Sequence, residues 1–167
     1  MPDLSWDLLT GHLVRLGLAY VLALPVAWDR ERHERTAGLR TFPIVALASC
    51  GFMLLAVERY GEDPRAEARI LQGLMTGIGF IGGGAILKKD SRVKGTATAA
   101  SIWATGGIGT AVAYSHYEIA VPLSLGVFLT LRALTPFKEE TGTEDDRADD
   151  DLGGDDEAGG ESEKSLV

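Results

Sequence analysis

The chain has one cysteine, Cys50, so no disulfide can form within it and a disulfide-stapled scaffold is excluded. It lacks a basic stripe. The lysines and arginines of the first 137 residues sit in short segments between apolar runs, which excludes a nucleic-acid-binding face. A removable secretion signal is not expected either. The start carries Asp3 and Asp7 where a signal is basic, and Pro25, Trp28 and Asp29 follow the first apolar run where a small-residue cleavage site would stand. Nor is there a nucleophile–base signature. His12, His33 and His116 are scattered, and Ser49 and Ser101 lie in apolar surroundings, so the sequence predicts a protein that is not an enzyme and holds no cofactor.

What is present is divided along the chain. The 167 residues carry a formal charge of −8 and a mean hydropathy of only +0.08. Residues 138–167, however, hold 13 of the 24 acids and 3 of the 16 bases, a net of −10, which leaves +2 for residues 1–137. That first part contains apolar runs over 8–28, 42–57, 70–87, 97–114 and 119–134. A helix needs about 20 residues to cross a hydrocarbon core of about 30 Å, so runs of this scale predict membrane spans. The predicted fold is all-α: a polytopic membrane helix bundle of five transmembrane helices (1–137), surrounded by lipid and followed by a disordered acidic tail (138–167). Such a tail has too little apolar content to offset the entropy of ordering it.

Charge sets the expected orientation. Arg30, Arg32, Arg35 and Arg40 lie between runs one and two, and Lys88, Lys89, Arg92 and Lys94 between runs three and four. With five spans these two segments share a side with the C-terminal tail. Basic short loops stay in the cytoplasm, so the N-terminus is expected outside and the tail inside.

The glycines of run three spell Gly77-Ile78-Gly79-Phe80-Ile81-Gly82, formally a dinucleotide fingerprint. That motif needs a preceding strand and an acid about 20 residues on, and Asp90 is too near and Glu118 too far. In a membrane helix, Gly73, Gly77, Gly79, Gly82, Gly83 and Gly84 instead suit close helix packing, with Gly82–Gly84 the expected place for a break. Arg15, one turn after His12, is the basic residue well inside a span; it can snorkel outward or make a polar contact within the bundle. Asp29 and Glu31 open a mixed-charge segment and could begin a Mg²⁺ site, since that ion takes oxygen ligands and often only one or two carboxylates; exposed ion pairs are the plainer reading of the segment. In Lys94-Gly95-Thr96-Ala97-Thr98, Gly95 permits a sharp entry to run four and Thr96 is expected to cap it.

Taken together, Asp29-Arg30-Glu31, Arg35-Thr36-Ala37-Gly38-Leu39-Arg40-Thr41, Gly77-Ile78-Gly79-Phe80-Ile81-Gly82-Gly83-Gly84-Ala85-Ile86, Val93-Lys94-Gly95 and Thr98-Ala99-Ala100-Ser101-Ile102-Trp103-Ala104 resemble the MgtC/SapB family of membrane proteins, over residues 8–135. The chain departs from the family pattern at Ala27, Thr36 and Thr96-Ala97, and the acidic tail stands where many members carry a soluble ACT-like domain. The resemblance implies a cytoplasmic-membrane protein of about five spans with an important acid near Asp29. It implies a role in Mg²⁺ transport or homeostasis, with Mg²⁺ as substrate or ligand. In that reading Asp29 and Glu31 are the cation-facing acids, braced by Arg30, Arg35, Arg40, Lys94 and Thr98. The alternative is a non-transporting regulator that binds other membrane proteins, such as the ATP synthase, through small-residue helix faces. Five short helices leave little room for an enclosed pathway in one chain, which favours a homo-oligomer.

Overall fold

The computed structural model describes residues 5–33, 37–61, 63–89 and 92–133. Arg35 and the acidic segment 138–167 lie outside the described residues. The core belongs to a compact unit, Met1–Leu131; of the second unit, Arg132–Val167, only residues 132 and 133 are described, as the end of a helix.

The fold is all-α apart from one short ribbon. Helix α1 spans Trp6–His33, with Ser5 Oγ accepting from the Leu8 N–H at 3.4 Å and Asp7 in the positive first turn. It runs five residues past Trp28, so Asp29 and Glu31 stand on the helix and not in the loop expected there. Helix α2 spans Thr41–Tyr60 and starts from a turn in which the Gly38 carbonyl accepts from the Thr41 and Phe42 N–H groups. Helix α3, Pro64–Gly84, begins six residues before the expected span. Asp63 Oδ1 accepts from the N–H groups of Arg65 at 3.0 Å and Ala66 at 3.3 Å, and Pro64 occupies the first helical position, where its missing N–H costs nothing. The helix stops at Gly84, so the glycine run ends the element in place of breaking it.

A feature the sequence reading missed follows. Strands β1 (Leu87–Lys89) and β2 (Arg92–Lys94) pair antiparallel, with Leu87 opposite Lys94, Lys88 opposite Val93 and Lys89 opposite Arg92. Gly95 then turns the chain into α4, Thr96–Ala113, from a left-handed conformation with φ +88°, and a Cβ there would strike the Ala85 carbonyl oxygen. Gly95 itself is the N-cap and no side chain caps the helix, which corrects the capping role expected of Thr96. At its other end α4 closes in a Schellman motif: the His116 N–H donates to Ala111 O at 2.9 Å and the Ser115 N–H to Val112 O at 3.0 Å, with Ser115 at φ 62°. Helix α5 occupies residues 117–133.

The core has two layers. One joins Ala19 and Ala23 of α1, Cys50, Met53 and Leu54 of α2, Ile108 and Val112 of α4, and Ala120 of α5. The other, nearer the ribbon, joins Val26 and Ala27, Phe42 and Val45, Ile78, and Ile102. Among α1 to α4, helices α2 and α4 form the most extensive pairing, and α3 contributes a single buried apolar side chain, Ile78. Centrality therefore falls to α4, and the glycine-rich α3 is peripheral. Two α4 hydroxyls bond back into the helix, Ser101 Oγ to Ala97 O at 2.7 Å and Thr105 Oγ1 to Ser101 O at 2.8 Å. Helix α5 is tied to α1 by Ser124 Oγ, which donates to Leu22 O at 2.6 Å, one turn before Pro25 interrupts the α1 ladder.

Candidate functional site

Three places carry chemistry. The first is at the ribbon end of α1. Asp29 and Arg30 are both buried, and Arg30 Nη2 donates to Asp29 Oδ2 at 2.8 Å, with Nε at 3.3 Å from the same oxygen. Burying two charges is costly unless each is satisfied. Glu31 is two positions on, about 200° around the helix from Asp29. Its Oε2 accepts from the Leu39 N–H at 3.0 Å, and the carboxylate lies so close over Gly38 that a Cβ there would strike it. The acids expected to share a cation thus part company: Asp29 meets Arg30, and Glu31 closes the turn that leads into α2. Among the described residues no group of three or more His, Cys, Asp or Glu side chains is arranged to hold a metal. Thr98, fully buried in the first turns of α4, is also a polar side chain of the interior. Arg40 and Lys94 are exposed.

The second place is the opposite end. His12 Nε2 lies 2.7 Å from Glu58 Oε1, a partner the sequence reading missed, and this contact fastens the start of α1 to the end of α2. Its only sequence signal is that Glu58 is the acid at the far end of run two, level with His12 if the two helices are antiparallel. Arg15 lines an open cleft of about 390 Å³ with Asp7, Thr10 and Tyr117. Beyond the end of α4, His116 Nδ1 lies 2.7 Å from Glu118 Oε1, and that hydrogen bond holds the Glu118 carboxyl below the usual carboxylate range.

The third place is a groove of about 1220 Å³ between α2 and α3. Its walls are Phe52, Leu55, Leu74 and Phe80, its floor includes Gly73 and Gly77, and Glu58 and Arg59 stand at one rim. A Cβ added at Gly73, Gly77, Gly79, Gly83 or Gly84 would meet nothing within 4 Å; at Gly82 it would meet the Ala99 carbonyl oxygen at 3.1 Å. Among the described residues, then, Gly82 is the one of the six that packs closely against a neighbouring helix, as expected of all of them. The tight glycines lie on α4, where sequence reasoning did not look. At Gly109 a Cβ would strike Ala46 O and reach Ser49 Cβ at 3.0 Å, and at Gly106 it would strike the Ile78 side chain.

Comparison with known proteins agrees with this architecture's most general reading. The MgtC family model matches residues 16–140. SrpB of Synechococcus elongatus is 32% identical over 150 residues, covering 83% of this chain and 79% of that protein. YhiD of Escherichia coli K12, whose name proposes a magnesium transporter, is 33% identical over 138 residues, 77% of this chain and 61% of YhiD. MgtC of Salmonella typhimurium LT2 is 30% identical over 118 residues, 71% of this chain and 50% of MgtC. The chain belongs to the MgtC family, whose members are membrane proteins. It spans about half to three-fifths of the length of MgtC and YhiD. No solved structure matches it.

Proposed function

We propose that this chain is a five-span protein of the cytoplasmic membrane that serves Mg²⁺ homeostasis, with its N-terminus outside and its C-terminal segment in the cytoplasm. The observation that carries the membrane part is the outward-facing apolar surface: Leu13 and Val21 on α1, Ile44 and Leu55 on α2, Phe80 and Ile81 on α3, Trp103 on α4, and Leu125 and Leu129 on α5 are all exposed. Lipid is the solvent in which such a surface is stable. Helices α1 and α2 are long and apolar enough to cross a membrane by themselves. The magnesium part is supported by kinship to MgtC and to YhiD, whose name carries that role.

In the transport form of this reading Asp29 is the acid that meets the cation, and Arg30 must release it when the cation arrives. Reconstituted protein should then show saturable Mg²⁺ flux into vesicles, lost on Asp29→Asn. A flux equal to that of empty vesicles, from protein shown to be folded, refutes transport. Orientation is tested separately: in a Cys50→Ser background, a cysteine at Glu62 should react with an impermeant thiol reagent in whole cells and one at Ser91 should not.

The groove between α2 and α3 favours a second reading, a regulator that takes a partner's membrane helix against Gly73 and Gly77. Bare glycine floors let two helix backbones approach closely, and none of the described residues lies against Gly73 or Gly77. Gly73→Leu or Gly77→Leu should then abolish partner capture, which is indifferent to ion gradients, whereas a carrier loses its flux on Asp29→Asn with its oligomeric state unchanged. The same face can receive a second copy of the chain, which chemical crosslinking at Phe80 would detect as a homo-oligomer.

A further inference from the structure

We propose that the β1–β2 ribbon is a binding surface for anionic lipid headgroups, an anchor that rests on the membrane reading above and adds a lipid partner to it. Residues 87–94 carry Lys88, Lys89, Arg92 and Lys94 against the single acid Asp90. Opposed residues of an antiparallel pair share a face, so the register puts Leu87 with Lys94 on one face and Lys88 with Val93 on the other. Both faces therefore combine bases with an apolar residue, and Ile86, Leu87 and Val93 are all substantially exposed. Apolar side chains set among bases suit the boundary between headgroups and acyl chains better than they suit water.

A two-stranded ribbon with strands of three residues is marginal alone, so a partner laid against it would stabilise it. The ribbon sits at the bundle end where Val26 and Ala27 of α1 pack with Ile78 and Ile102. At that end Trp28 is half exposed and the Arg32 guanidinium stacks 4.7 Å from its ring centre, the aromatic–basic pairing of a membrane–water boundary. The ribbon is held at this level because Gly95 lets the chain return tightly past Ala85. Clusters of four or more bases at the cytoplasmic edge of a span bind anionic lipid, each base contributing about fivefold to the preference.

The test uses the full chain with Cys50→Ser and an environment-sensitive fluorophore on Val93→Cys, in nanodiscs of phosphatidylcholine alone or with phosphatidylglycerol. Phosphatidylglycerol should shift the emission to the blue and increase quenching by brominated acyl chains. Neutralising Lys88→Gln and Lys94→Gln together should weaken that response about 25-fold, the product of two fivefold steps. Raising salt to about 1 M, where the screening length is about 3 Å, should weaken it too. Equal emission in the two lipids overturns the proposal. So does an identical shift produced by inorganic phosphate in phosphatidylcholine discs, which would mark a general anion site. A second fluorophore on Leu125→Cys, exposed on α5 away from the α2–α3 groove, separates the two levels of the argument. Quenching at Leu125 without a lipid response at Val93 refutes the ribbon alone; no quenching at Leu125 refutes the membrane reading.

Discussion

Gly109→Ala and Gly77→Ala should act in opposite directions, because one glycine faces a backbone and the other faces open space. At Gly109 the new methyl collides with the Ala46 carbonyl and stands 3.0 Å from Ser49 Cβ. A backbone oxygen inside a helix cannot swing aside as a side chain can, so α2 and α4 must separate along their most extensive contact. Overpacking of this kind costs about 1–3 kcal/mol, and a clash with main chain belongs at the upper end. Replacing a mid-helix glycine with alanine returns up to about 1 kcal/mol of helix propensity, leaving a net loss of about 2 kcal/mol. At Gly77 nothing lies within 4 Å and the propensity gain stands alone. The two variants should differ by about 3 kcal/mol, roughly two orders of magnitude in the unfolding equilibrium. Denaturation by dodecyl sulfate in mixed micelles, followed by fluorescence of Trp6, Trp28 and Trp103, measures both against the parent. Equal losses in the two variants would refute the packing described and place a close neighbour against α3.

Other substitutions probe single features. Ser115 is the one non-glycine residue with positive φ among the described residues, so Ser115→Gly should stabilise by about 1 kcal/mol, read as a raised midpoint in the same denaturation. Thr110 Oγ1 is buried without a hydrogen-bond partner, and Thr110→Val, which keeps the shape, should be neutral or stabilising by about 1 kcal/mol; a clear loss would reveal a bound water or ligand. The Glu118 carboxyl is held low by its hydrogen bond to His116, so its contribution is present above the ordinary carboxylate value and is lost as pH falls through the lowered one. Glu118→Gln should flatten that acid limb in a stability–pH profile. Glu31→Gln keeps an oxygen for the Leu39 N–H and should be tolerated, whereas Glu31→Ala should loosen the α1–α2 turn, detected as faster amide exchange at Leu39.

The elements were legible where apolar runs are long: α1, α2, α4 and α5 fall close to their expected positions. Other features depend on facing and register, which composition does not record. Six glycines in one run announce close packing, but which of them meets a neighbour is set by how α3 crosses α4. That crossing leaves only Gly82 in contact and shifts the tight approach to Gly106 and Gly109. The ribbon was hidden because two strands of three residues fall below the length at which alternation is readable. Asp29 and Glu31 looked like partners because they are close in sequence. Helix α1 continues through them, and its period turns them apart. His12 could be noticed as a polar residue in an apolar run, but its partner Glu58 is 46 positions away and is reached only through the antiparallel pairing of α1 and α2.

The burial of α4 bears on how the protein is made. Its Gly106 and Gly109 meet Ile78 of α3 and Ala46 of α2, both synthesised earlier, and Thr98, Ser101 and Thr105 put three buried hydroxyls into the same helix. A helix of that composition leaves the insertion machinery by passing into a slot its predecessors have already formed. On the five-span reading, biogenesis is therefore ordered: α1 and α2 partition on their own apolarity, and α4 follows as their client. Weakening the α2 face that receives Gly109 should then show itself first as a shortage of inserted protein, before any change in what the finished protein does.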